Sequence, residues 1–180
     1  IIALKPKPTI NDYFDLTLAR YFTPDYGRSR AEALKMITNF PDQPYGYEWA
    51  FNSSAAIDTV KKDSIAVPDA LALYGFAQKD TAKFKKQYIN SVKFLGAYYI
   101  NQAKDKAKSL EFFTKWLEAD PANASIIEPI IKQINSMPAR QSTPPRGNAI
   151  PAKDGDKKAA EKTDTKAKTT AVSKKTAVKK

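Results

Sequence analysis

Apolar residues in the first three quarters of the chain recur at helical spacing, in stretches closed by proline, aspartate or threonine. Tyr13, Phe14, Leu16, Leu18, Tyr21 and Phe22 crowd a first segment, with Asn11 or Asp12 in place to cap it and Thr23-Pro24-Asp25 as a turn signal after it. A second helix is predicted over about 27–39, where Ala33, Met36, Ile37 and Phe40 form one stripe broken by Pro41-Asp42-Gln43-Pro44. A third runs from about Tyr45 to Asp58, and Pro68 opens a fourth in the first turn, where proline is tolerated. Phe84 to Asn101 reads as a long fifth helix and about 104–119 as a sixth, which Asp120-Pro121 stops. Ile126, Ile127, Ile130, Ile131 and Ile134 mark a last helix at about 124–135, disturbed by Pro129. No window shows sustained period-two alternation, so no sheet is expected.

Repetition orders these helices. At a spacing of about 40, the segments Arg28–Pro41, Pro68–Thr81 and Lys108–Pro121 superpose. Ala33 then coincides with Leu73 and Phe113, Met36 with Phe76 and Trp116, and Ile37 with Ala77 and Leu117. An aromatic-rich helix precedes each segment. A helix pair recurring at this period is the sequence mark of an α-solenoid.

The last pair carries a family resemblance. Leu95-Gly96-Ala97-Tyr98-Tyr99 resembles the first helix of a tetratricopeptide repeat, and Ser109, Phe113, Trp116 and Asp120-Pro121 resemble its second helix and closing proline. Leu18-Ala19-Arg20-Tyr21-Phe22 matches the first element again, and Ser29, Ala33, Met36 and Pro41 the second. The middle unit is fainter, with Trp49 near the motif's tryptophan and a long loop from Asp58 to Val67. The resemblance implies an all-α fold: an α-solenoid of about three helix-turn-helix hairpins plus a capping helix. It implies a bacterial protein and the C-terminal part of a longer array. It also favours an exported or periplasmic location over a cytoplasmic one, because exported members carry a Lys-rich, pre-proline loop like Val60–Pro68.

Charge divides the chain. From Pro138 to Lys180 there are 12 Lys and Arg against 4 Asp and Glu, a net of +8 out of +11 for the whole protein. All 20 aromatics lie at or before Trp116. The expected organisation is therefore an N-terminal extension over 1–9, a helical repeat domain over 10–137, and a disordered Lys/Ala/Thr/Pro-rich tail over 138–180. No apolar run reaches the roughly 18 residues of a membrane span.

The chain has no cysteine and no histidine, which excludes disulfides, thiolate nucleophiles, imidazole bases and zinc sites built from those ligands. The six glycines form no phosphate-cradling loop. Asp154-Gly155-Asp156 lacks the further ligands of a calcium loop. No catalytic residue, cofactor or metal is expected, and the chain is not read as an enzyme. The repeat resemblance implies instead that first helices line a concave groove for a peptide segment of a protein partner. In that register Tyr13, Arg20, Asn90 and Lys93 project toward the groove, and Tyr21, Tyr47 and Tyr88 join them as amphipathic contacts. The alternative reading is that the basic tail binds nucleic acid or another anionic surface by counterion release.

Overall fold

Proline and aspartate do in the structure what their positions suggest. In the computed structural model, which describes residues 7–58 and 64–138, α1 spans Ile10–Phe22, α2 Tyr26–Asn39, α3 Pro44–Ile57 and α4 Ala66–Ala77. After these come α5 over Lys85–Asn101, α6 over Lys106–Ala119, a 3₁₀ turn at Pro121–Asn123 and α7 over Ala124–Ser136. Among the described residues there is no strand. The extension before Lys7 and the tail beyond Pro138, with the disorder and anion binding expected of it, lie outside the described residues.

The helix starts follow local chemistry. Asp25 and Asp105 cap α2 and α6 by accepting from the amides of Arg28 and Lys108, satisfying donors that a first turn leaves free. At α1 the cap is Thr9 rather than Asn11 or Asp12. Asp12 stands three residues further in and accepts from the Thr9 amide at 2.8 Å, a reciprocal capping box. Pro44 occupies the first turn of α3. Helix α4 starts two residues before Pro68, so that proline sits a little deeper in its first turn. Pro129 lies inside α7, which continues through it.

Each helix packs on its neighbours in sequence, and α1 also touches α3. Two antiparallel hairpins and their successors therefore stack without long-range threading, as a repeat array does. Of the nine residues aligned at the 40-residue spacing, Ala33, Met36, Leu73, Phe76, Ala77, Phe113 and Trp116 are buried, and Ile37 and Leu117 are half-buried. Leu73, Val92, Leu95, Phe112, Phe113, Trp116 and Ile127 belong to one continuous core running from α3 to α7. Small side chains let helices approach. Gly96 faces the Phe113 ring so closely that a Cβ there would lie 3.0 Å from Cε2.

Candidate functional site

The register of the first helices decides what their open face presents, and buried serines fix it. In the last hairpin the Ser109 hydroxyl donates to the Gly96 carbonyl at 2.8 Å. In the first, the Ser29 hydroxyl donates to the Thr17 carbonyl at 3.0 Å. Thr17 is therefore the counterpart of Gly96, two residues before the Ala19 expected from the Leu-Gly motif. On α3 the buried positions Gly46, Ala50, Ser53 and Ser54 repeat the spacing of Tyr88, Val92, Leu95 and Gly96 on α5. Counterparts of Asn90 and Lys93 are then Asn11 and Phe14 on α1, and Glu48 and Phe51 on α3.

Two residues of helix rotate a side chain through about 200°, and the expected site residues disperse accordingly. Tyr13 is buried, its ring edge-on to Phe40 at 6.2 Å; it corresponds to Val92 in the core. Arg20 turns to the junction of α1 and α2, where it bonds Asp25 at 3.1 Å. Tyr47 stacks on Phe76 at 4.6 Å and donates its hydroxyl to the Pro41 carbonyl; burial, and then Asp42, push its phenol pKa up. Tyr88 is buried against Tyr74, and burial likewise raises its pKa. Asn90 and Lys93 are exposed on α5, with the Lys93 ammonium 4.8 Å from the centre of the Trp116 ring. Of these six residues, only this α5 pair shares an open face.

In place of the dispersed set, α1 and α3 bring together a run of aromatics. Phe14 meets Tyr45 at 5.4 Å and Trp49 at 6.4 Å, both edge-on. Tyr21 meets Trp49 at 5.0 Å, Tyr26 at 5.3 Å and Phe22 at 5.6 Å. Phe22 is 74% exposed and Tyr45 45%. Further along, Phe51 of α3 meets Phe94 of α5 at 5.0 Å. Glu48 lies between, accepting from Gln87 at 3.1 Å and pairing with Lys86 at 3.3 Å. The helical spacings Tyr45–Trp49 and Phe14–Tyr21 were readable in the sequence; the two-residue register difference concealed that they meet.

The second helices are held by charge. Arg30 of α2 grips Asp69 of α4 through two bonds of 2.6 and 3.0 Å. That hydrogen bonding raises the Arg30 pKa despite partial burial. Among the described residues no cluster of acidic side chains is placed to hold a metal ion, and no helix is long and apolar enough to cross a membrane. Asp154-Gly155-Asp156 falls outside them.

With this geometry in view, comparison places the fold in a class. No protein-family model and no curated protein sequence matches the chain. The crystal structure of the C-terminal part of a TPR repeat-containing protein from Cytophaga hutchinsonii is similar, with a TM-score of 0.63 and 26% sequence identity. That similarity covers 69% of this chain and 48% of the solved one, so the chain spans about half of its length. The helical unit thus has the tetratricopeptide-repeat fold, a helical repeat scaffold of the kind used in protein interaction.

Proposed function

We propose that this chain is a non-enzymatic scaffold that takes a peptide segment of a protein partner on the open face of α1, α3 and α5. The observation that carries the reading is the Tyr45–Phe14–Trp49–Tyr21 run with Phe22 exposed beside it. Aromatic area held rigid by neighbouring rings loses little entropy on binding, and tyrosine hydroxyls supply polar tips. Asn90 and Lys93 of α5 extend the same face with an amide and a cation, suited to a polar or acidic residue of the segment. Tyr13, Arg20 and Tyr47 act in this reading by holding the helices rather than by touching the partner.

The test uses peptides selected on the full chain from a random display library. Their affinity is compared for the parent and the double variant Phe22→Ser, Tyr45→Ser, in which two exposed rings are lost at little cost to stability. Binding weaker by about tenfold or more, with the melting temperature unchanged, supports the reading. It should also survive a rise in salt from about 0.1 to about 0.5 M, because apolar contacts are not screened. Undiminished binding by the variant that collapses with salt would transfer the activity to the Lys-rich tail.

A further inference from the structure

Where α1 and α3 begin, the aromatic run opens into a small pocket. Ile10, Asn11, Phe14 and Tyr45 line it, around about 200 Å³ of space. Drug-sized ligands need roughly 300–1,000 Å³, so this pocket takes one or two side chains. It shares Phe14 and Tyr45 with the run, and their rings meet there edge-on at 5.4 Å. Pocket and aromatic run are one surface.

The chemistry of that surface narrows what it can hold. No residue lining the pocket is charged, and neither are Tyr21 and Trp49 further along the run. A charged side chain seated there would lose water without gaining a counterion. The polar groups present are able to donate: the Tyr21 and Tyr45 hydroxyls, the Trp49 indole N–H and the Asn11 amide. Among the described residues, none of these four side-chain groups has a hydrogen-bond partner.

Spacing adds a second constraint. Phe14 and Tyr21 lie seven residues apart on one side of α1, which is roughly 10 Å of helix rise. Tyr21 meets Trp49 of α3 at 5.0 Å, a second aromatic contact along the same two helices. A chain in the polyproline II conformation turns once in three residues and advances about 9 Å in doing so. Every third residue of such a chain therefore comes to an aromatic contact.

We infer that the partner segment is proline-rich, with prolines three residues apart, and lies along α1 and α3 in the polyproline II conformation. One proline fills the pocket at Phe14 and Tyr45, and the next lies on the Tyr21–Trp49 contact. The pyrrolidine ring is uncharged and brings no N–H that the surface would have to satisfy. The carbonyls of a polyproline II chain are bonded to nothing within it, so they accept from the phenol, indole and amide groups. Such a chain is already ordered before it docks, which limits the entropy lost. The inference rests on the proposed peptide face and adds the chemistry of the segment that it takes.

A defined probe tests it with no partner in hand. The full chain, labelled with ¹⁵N, is titrated with acetylated, amidated decaproline, and with an alternating glycine–serine decapeptide as comparison. We expect saturating shifts at the Asn11 side-chain amide, the Tyr45 amide and the Trp49 indole N–H, with a dissociation constant of about 0.2–2 mM. Raising salt from about 0.1 to about 0.5 M should change that constant by less than about twofold. Tyr45→Ser should weaken binding at least about tenfold, and Asn11→Ala at least about threefold. Asn11 is exposed, so its variant carries the test if Tyr45→Ser does not fold. No shift with decaproline, equal shifts with the glycine–serine peptide, or undiminished affinity in the folded variants would overturn the inference. Library peptides that need Phe22 and Tyr45, yet show no enrichment of prolines three apart, would also overturn it and leave the aromatic face standing. Decaproline held at Tyr45, with library peptides indifferent to the double variant, would support the proline preference and remove the broader peptide reading.

Discussion

A hydrogen atom in place of a methyl group decides whether α2 can touch α3. At Gly46 an added Cβ would lie 2.8 Å from Cγ1 and 2.9 Å from the backbone nitrogen of Ile37, and 3.0 Å from the Ala33 carbonyl. Backbone cannot yield as a side chain can, so Gly46→Ala should destabilise by about 2–3 kcal/mol. Gly75 has open space and lies within α4. Gly75→Ala should therefore stabilise by about 0.5–1 kcal/mol through helix propensity alone. Urea unfolding of the two variants measures both, and a neutral Gly46→Ala would mean that the α2–α3 contact is looser than described. Single residues also mark where sequence reading stopped. Thr17 fills a small-residue position because its hydroxyl bonds the Tyr13 carbonyl at 2.7 Å, which hides its polarity in the core. A β-branched polar residue does not advertise that, whereas Leu18-Ala19 imitates the motif.

Helices were far more legible than their rotations. Pro41, Pro44 and Asp120-Pro121 act within one turn of backbone, so the ends of α2, α3 and α6 follow from covalent geometry. Which stripe faces a neighbour depends on packing, and at α1 two residues of slippage sent Tyr13 and Arg20 inward. Between elements, the Arg30–Asp69 bond ties successive second helices together with a carboxylate whose side chain is 7% exposed. Arg30→Ala would leave that carboxylate without its paired donors, at a cost of about 1–3 kcal/mol. Arg30→Lys should recover only part of it, since an ammonium cannot reproduce the two-pronged contact. Denaturant midpoints for the three proteins order them; full recovery by lysine would reduce the contact to simple charge attraction.

For the molecule as a whole, alkali should find the weak side. Burial raises the phenol pKa of Tyr47 and Tyr88, and the Glu111 and Tyr74 hydrogen bonds of Lys115 raise its pKa as well. Each group holds its proton more tightly folded than unfolded. The stability this confers is complete below the unfolded values, near about pH 10, and is lost as pH rises through the folded ones. The melting temperature should fall from about pH 10 upward. Tyrosinate absorbance of the folded protein should show a late-ionising fraction that shrinks in Tyr47→Phe and Tyr88→Phe. A single tyrosine transition at the ordinary value would refute this.

Contacts confined to helices adjacent or nearly adjacent in sequence also set a tempo. Closing a loop of a few residues costs little chain entropy, so hairpins can form before distant parts of the chain meet. Such local topologies fold in about microseconds to milliseconds, and they need no single nucleus. The same economy makes the array compliant under load. A pull on its two ends is carried helix by helix through each junction in series, so the molecule would yield in steps at its weakest seam instead of rupturing at once. A scaffold built this way can lengthen under tension and regain its length when the force is released.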